Sequence, residues 1–327
     1  MGGRRRTPGP HRRGAVVNHR DSAEFHRIAR SFPWTTDGRG VGDDAAWVGE
    51  RGLFCCDALA EDVHFRWDWS SPRDVGYKCV VANVADIVCT GGRPLHAVWS
   101  VGMGRDWSDS VFQELCEGAL EACQATGVHL VGGDTVRCRD KGFVSLALWG
   151  ELHDARPWLR SGARAGDQLV VLGSLGLSAS GLAALHNGLD REEAFCRLVE
   201  VHRRPRPVGM DLPAAFRQAV HAGIDLSDGL SSECEHLARS SGVRLILDLA
   251  HLTPDPMQIA LGQRLGFDPM EWILHGGEDH SLLLCVDPQA PLPQGVSRIG
   301  RIETGSGVWV SENGRIESLP SRAWDHV

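Results

Sequence analysis

Gly223-Ile224-Asp225-Leu226-Ser227-Asp228-Gly229-Leu230 runs directly into Ser231-Ser232-Glu233-Cys234-Glu235. Two carboxylates and a hydroxyl fall within four residues, between an apolar approach and a helical pattern. Leu230, Cys234, Leu237 and Ala238 recur at helical spacing, and Ser232 with Glu235 fits a capping box. The spacing predicts an apolar strand, a tight acidic turn and a helix start. Free N–H groups at a helix start suit an anion, whereas Asp225 and Asp228 offer hard oxygens to a cation. A metal-bound phosphate needs both.

The same design recurs outward from this stretch. Asp43-Asp44 follows Gly42, Asp57 follows Cys55-Cys56, and Asp86 lies in a long apolar run. Asp134 follows Gly132-Gly133, and Glu278-Asp279 follows Gly276-Gly277. A single acid in a turn caps or solvates. Several apolar segments ending in acids imply more, because converging carboxylates repel unless cations neutralise them. Oxygen-only donors point to Mg²⁺ or a similar hard ion, which usually co-binds a substrate phosphate.

The elements around these acids alternate. Asp21 to Phe32 reads as a short capped helix. Leu53 to Asp57 is the hairpin partner of a strand after Ala45. Ser71-Pro72-Arg73-Asp74 opens a helix running towards Gly91, strand Leu95 to Met103 follows, and an amphipathic helix starts at Ser108. Val128 to Val131 reads as a short strand that ends in Gly132-Gly133-Asp134-Thr135. Strand 143–149 precedes a polar, Pro-containing break around 150–164, then strands at 169–172, 243–247 and 281–286. The expectation is an α/β (α+β) chain: a disordered basic extension over 1–20, one unit over 21–150 and a second over 151–327.

With 42% apolar residues in 327, the chain can bury a sizeable core. A net charge of −8 gives no general attraction to nucleic acid or membrane. The first twenty residues hold six arginines, no acid and no apolar core of a secretory signal. Ten cysteines without a C-x-x-C pair read as reduced thiols of a cytoplasmic protein. There is no P-loop, no kinase catalytic-loop pattern and no G-x-S-x-G elbow. A phosphate site must therefore rest on metals, helix starts, backbone N–H groups and arginine, with Arg137 and Arg160 as candidates. The residues alone lead to a multi-Mg²⁺ enzyme acting on a nucleotide or another phosphate.

The ordered motifs resemble the thiamine-monophosphate kinase family, within the superfamily that includes aminoimidazole ribonucleotide synthetase. They are Phe25-His26-Arg27-Ile28, Gly42-Asp43-Asp44-Ala45, Cys56-Asp57 with Val63-His64-Phe65, Tyr77-Lys78, Asn83-Val84-Ala85-Asp86 and Gly91-Gly92-Arg93-Pro94. Gly132-Gly133-Asp134-Thr135, Leu159-Arg160-Ser161-Gly162, the Asp225 to Leu230 stretch, Gly276-Gly277-Glu278-Asp279 and Trp324-Asp325-His326 complete them. The resemblance implies ATP-dependent phosphorylation of thiamine monophosphate to thiamine diphosphate, by direct in-line transfer with several Mg²⁺ ions. It also implies a homodimer, whose N-terminal ATP- and metal-binding sheets pair across the interface into a barrel, and a C-terminal α/β domain.

Carried over by position, Asp43, Asp44, Cys56, Asp57, Asp86, Asp134, Asp225 and Asp228 would hold metal, with Asp225, Asp228 and Asp134 closest to catalysis. Gly133, Asp134, Arg160 and Ser227 would meet ATP. His64, Glu278 and Trp324 would meet thiamine monophosphate. Cys55-Cys56 stand where the family usually has hydroxyl residues, and a thiol is a poor partner for Mg²⁺. His280-Ser281 replace the common Tyr-Glu. Two alternatives accompany this reading: a superfamily relative using ATP on another phosphate or carboxy substrate, and a degenerate, non-catalytic thiamine-phosphate binder.

Overall fold

A computed structural model describes Ile28, Ser31, Phe32, Thr35 and residues 37–322. The extension over 1–20, most of the expected first helix and Trp324 lie outside the described residues.

Helix α1, Pro72–Cys89, is the part to which both halves attach. Its start is built as the sequence predicts. The Ser71 hydroxyl accepts the Asp74 N–H and the Asp74 carboxylate accepts the Ser71 N–H, both at 3.2 Å, with Pro72 in the first turn. Val75, Cys79, Val80, Val81, Val84, Ile87 and Val88 are all buried, so its apolar residues cover the whole circumference rather than one stripe. A helix of that kind must be enclosed. One side packs on a five-stranded sheet and the other meets strands of a seven-stranded sheet, with Leu282, Leu284 and Val286 joining the same core.

The first sheet holds β1 (Ala46–Val48), β2 (Gly52–Ala60), β3 (Gly92–Met103), β4 (His129–Arg137) and β5 (Phe143–Leu152), in the order β1-β2-β5-β3-β4. Pairing is antiparallel except for β3 with β4. Alternation divides its faces. Leu53, Cys55, Leu146 and Leu148 turn inward, while Phe54, Cys56, Val98 and Trp149 share the outer face and are exposed. Helix α2, Asp109–Thr126, lies against α1, starting at the Ser108 cap as expected and closing on Gly127.

The second half contains β6 (Gln168–Leu172), α3 (Leu177–His186), α4 (Cys196–Arg203), α5 (Ala214–Ala219), β7 (Val220–Asp225) and α6 (Leu230–Ser241). Then come β8 (Arg244–Asp248), α7 (Pro256–Leu265), α8 (Pro269–His275), β9 (Leu282–Val286), β10 (Val296–Glu303), β11 (Gly307–Glu312) and β12 (Arg315–Ser318). The sheet order is β12-β11-β8-β10-β6-β9-β7, antiparallel but for β8 with β11. The mixed, two-unit α/β architecture is the one expected. No helix among the described residues is long and apolar enough to cross a membrane.

Two local expectations change. The strand expected to end before Gly132 instead runs through Gly132-Gly133-Asp134-Thr135 to Arg137, because β3 is long enough to pair with it as far as Met103. Gly133 permits that approach, since a Cβ there would stand 2.2 Å from the Trp99 carbonyl oxygen. The second change is at α6. It starts at Leu230, not after a Ser232–Glu235 box, and its cap residue is Gly229, at φ 116°, a backbone that glycine favours.

Candidate functional site

Apolar strand β7 carries Asp225 at its end, and burial of the strand drags the carboxylate in with it, to 2% exposure. Asp86 projects from α1 into the same space. Asp44 reaches it from the turn before β1. One carboxylate oxygen of each lies within 4.8 Å of those of the other two. Three elements distant in sequence thus deliver three acids to one point.

Their electrostatics are unfavourable as they stand. Burial pushes the Asp44 carboxyl up to about 6, with Asp225 adding to the push and Arg160 opposing it. Burial, then the charges of Asp57, Asp225 and Asp44, raise Asp86 well above the usual carboxylate range. Arg160 is the one arginine that touches the group among the described residues. Its guanidinium pairs with Asp44, and its N–H donates to Asp43 Oδ1 at 2.7 Å. One guanidinium does not balance this many acids. The donor set is all oxygen and fits a hard divalent cation.

The 225–229 turn is shaped by a residue that no local pattern marks. Glu233 is buried, and its Oε1 accepts the Asp228 N–H at 2.8 Å and lies 3.5 Å from Ser227 Oγ. It reaches back from the first turn of α6 to do what the capping box was expected to do. The loop 276–280 lies alongside: the Glu278 N–H donates to the Ser227 carbonyl at 2.6 Å and the His280 N–H to that of Leu226 at 3.0 Å. His280 Nδ1 sits 3.5 Å from Asp225 Oδ2, buried and without a hydrogen bond.

The other expected residues distribute around this centre. Asp57 on β2 is half-buried, with its N–H held by Asn83 Oδ1 at 3.0 Å. Cys56 points the other way, onto the outer sheet face, 3.5 Å from Ser145 Oγ. Cys55 is the thiol on the Asp57 side, buried against Asn83 and raised by burial and by Asp86. Asp134 is exposed on β4 and outside the three-acid group, beside Gly133. Arg137 ends the same strand, also exposed. His64 Nδ1 accepts the Ala60 N–H at 3.0 Å, closing the turn after β2. Asp279 is not part of the acid centre. Its carboxylate accepts the N–H groups of Gly176 (2.5 Å) and Ser178 (3.1 Å) at the start of α3, while burial raises it to about 7.

Glu278 has a different setting. Its Oε2 lies 3.1 Å from Lys78 Nζ on α1 and 3.5 Å from His202 Nδ1 on α4. Burial opposes its charge, but Lys78, with smaller contributions from His202 and His280, holds it down at about 2. Tyr77-Lys78 was visible as a motif without a role, whereas His202 carries no sequence signal.

Residues 42–152 match the AIR synthase related protein N-terminal domain, and residues 164–302 match its C-terminal domain. Thiamine-monophosphate kinase of Mycobacterium tuberculosis strain H37Rv is 41% identical over 270 residues, 81% of this chain and 79% of that one. The chain belongs to the thiamine-monophosphate kinase family. The Bacillus subtilis thiamine-monophosphate kinase is 35% identical over 253 residues, covering 74% and 76%. Among solved structures, AaThiL complexed with AMPPCP and TMP superposes with a TM-score of 0.81 at 32% identity, over 88% of this chain and 92% of that one. The HypE–HypF complex matches at TM-score 0.71 and 15% identity, and shares the fold alone with the kinase family.

Proposed function

We propose that this chain transfers the γ-phosphoryl group of ATP to the phosphate of thiamine monophosphate, giving thiamine diphosphate and ADP. This is the last step of thiamine diphosphate biosynthesis. The convergence of Asp44, Asp86 and Asp225, in a member of this kinase family, carries the reading. Bound Mg²⁺ would neutralise phosphate charge and hold the transferring group in line, which is where phosphoryl transfer gains most of its rate.

The chain's own residues supply the rest. Asp44, Asp86 and Asp225 hold metal, with Asp43, Asp57, Asp228 and Asp134 around them. The Cys56 side chain faces away and contributes at most its backbone. Arg160, Ser227, Gly133 and Asp134 meet ATP. Gly133 lets the nucleotide approach the backbone, because nothing projects from that position. Glu278, His64 and Trp324 take thiamine monophosphate, with the anionic Glu278 suited to a cationic ring system. The exposed outer face bearing Phe54, Val98 and Trp149 supports a homodimer that covers it as a closed barrel. Ten free cysteines suit a cytoplasmic enzyme.

The test is conversion of thiamine monophosphate with ATP and Mg²⁺, separating thiamine diphosphate from free thiamine and ADP from AMP. Thiamine diphosphate with matched ADP is the expected result. AMP as co-product, or no product from protein that binds ATP, overturns it.

A further inference from the structure

We propose that Lys78 is a positioning residue for substrate recognition: it reaches from the N-terminal half to fix Glu278, so that the free oxygen of this carboxylate faces the cationic end of the substrate. The inference rests on the function proposed above and adds a residue to it.

The backbone at Glu278 is the first observation. Glu278 has φ 61°, in the left-handed region that a non-glycine side chain rarely occupies. Its own N–H donates to the Ser227 carbonyl and the N–H of His280, two residues on, to that of Leu226, and these hold it there. From this backbone the side chain reaches α1, where it meets Lys78. Strain of this kind survives where the surroundings over-determine the geometry.

Lys78 is the second. It is 5% exposed, in a helix otherwise buried among apolar residues. A buried ammonium is tolerated only when paired, and its partner is Glu278 Oε2 at 3.1 Å. The same oxygen meets His202 Nδ1, whose ring burial keeps neutral by lowering it to about 3 and which also lies 3.0 Å from Ser178 Oγ. Oε2 is therefore committed to the protein. Glu278 Oε1 has no partner among the described residues, and the side chain remains 29% exposed. One oxygen anchors and the other is presented.

Residue choice is the third. The chain uses 32 arginines and two lysines, and the other lysine, Lys141, is an exposed partner of Glu61 and Asp62. In a sequence so biased, a lysine inside the core marks a place where a compact point charge fits and a planar guanidinium does not. Lys78 belongs to α1 and His202 to α4, so the anchor forms only when the two halves are docked.

The two-lysine composition makes a direct test practical. In wild-type protein labelled with ¹⁵N-lysine there are two Nζ resonances, assigned with Lys141→Arg. Saturating thiamine monophosphate without nucleotide is expected to shift the Lys78 signal, and AMPPCP alone to leave it in place. A Lys78 signal indifferent to thiamine monophosphate overturns the proposal. Kinetics give the second arm, in Lys78→Met and Glu278→Gln. Lys78→Met should raise KM for thiamine monophosphate about tenfold or more, leave KM for ATP within about threefold, and add little in the double variant. Lys78→Arg should not restore KM. Equal rises in both KM values, or fully additive losses, would indicate a merely structural lysine and overturn the proposal. Absence of wild-type turnover, by contrast, sinks the underlying function and is read before any variant is made.

Discussion

Two acidic regions lie about two turns of α1 apart and solve the same problem in opposite ways. At Asp44, Asp86 and Asp225 the chain gathers carboxylates and supplies one guanidinium, leaving charge unbalanced. At Glu278 it gathers one carboxylate and supplies its own ammonium. On the proposed function, the first region takes its balancing cation from solution. The second is complete as folded. Burial alone does not tell the two apart, because it penalises the charged form in both; the sign of the neighbouring charges does.

Four experiments break or sharpen that contrast. The largest effect belongs to the acid centre: Asp225→Asn with Asp228→Asn should lower kcat by roughly a thousandfold or more, with an unchanged circular dichroism spectrum. Retained turnover would rule out the metal role. Next, Lys78→Met removes one partner of a buried pair and should cost about 2–3 kcal/mol in urea unfolding, below the usual figure for a fully enclosed pair because Glu278 is part-exposed. Asp86→Asn should act in the opposite sense. In chelator it relieves repulsion and should stabilise by about 1–2 kcal/mol, while abolishing the upward thermal shift expected of the wild type on adding Mg²⁺.

The smallest effect is in pH. Asp44, raised to about 6, takes up a proton in the folded state before the unfolded chain does. Its contribution in metal-free protein therefore improves as pH falls from about 7 towards its unfolded value near 4. Glu278, lowered to about 2, behaves inversely: its contribution is full above about 4.5 and is lost as pH falls towards 2. Chelated protein compared with its Asp44→Asn variant between pH 7 and 5 isolates the first contribution. A gap between them that does not narrow on acidification would remove the repulsion account.

Where the sequence was legible, local rules were strong. Ser71-Pro72 and Ser108 announced their helices because cap chemistry acts within four residues. Asp44, Asp86 and Asp225 were legible as acids beside glycines or apolar segments, and the family motifs ordered them. Their meeting point was not, since it depends on how β7 and the turn before β1 dock on α1. β4 runs past its expected end because pairing with β3, a strand distant in sequence, overrides the turn propensity of Gly132-Gly133. Glu233 rather than Glu235 answers the turn because the helix starts at Leu230, ahead of the Ser232 cap that the local pattern suggests. His202 joins Glu278 purely through tertiary packing, so no local signal could have marked it.

The enclosure of α1 has a metrical consequence. Lys78 and Asp86 stand eight residues apart on one rod, which fixes about 12 Å of axial rise between the two regions. A helix gripped by a sheet on each side can neither stretch nor turn about its axis. On the proposed assignment of these residues, the span between the group that is transferred and the ring system that is recognised is set by a count of peptide units. A single residue inserted between positions 78 and 86 would rotate one of them by about 100° away from its partners, and no adjustment of the surrounding loops could bring both back.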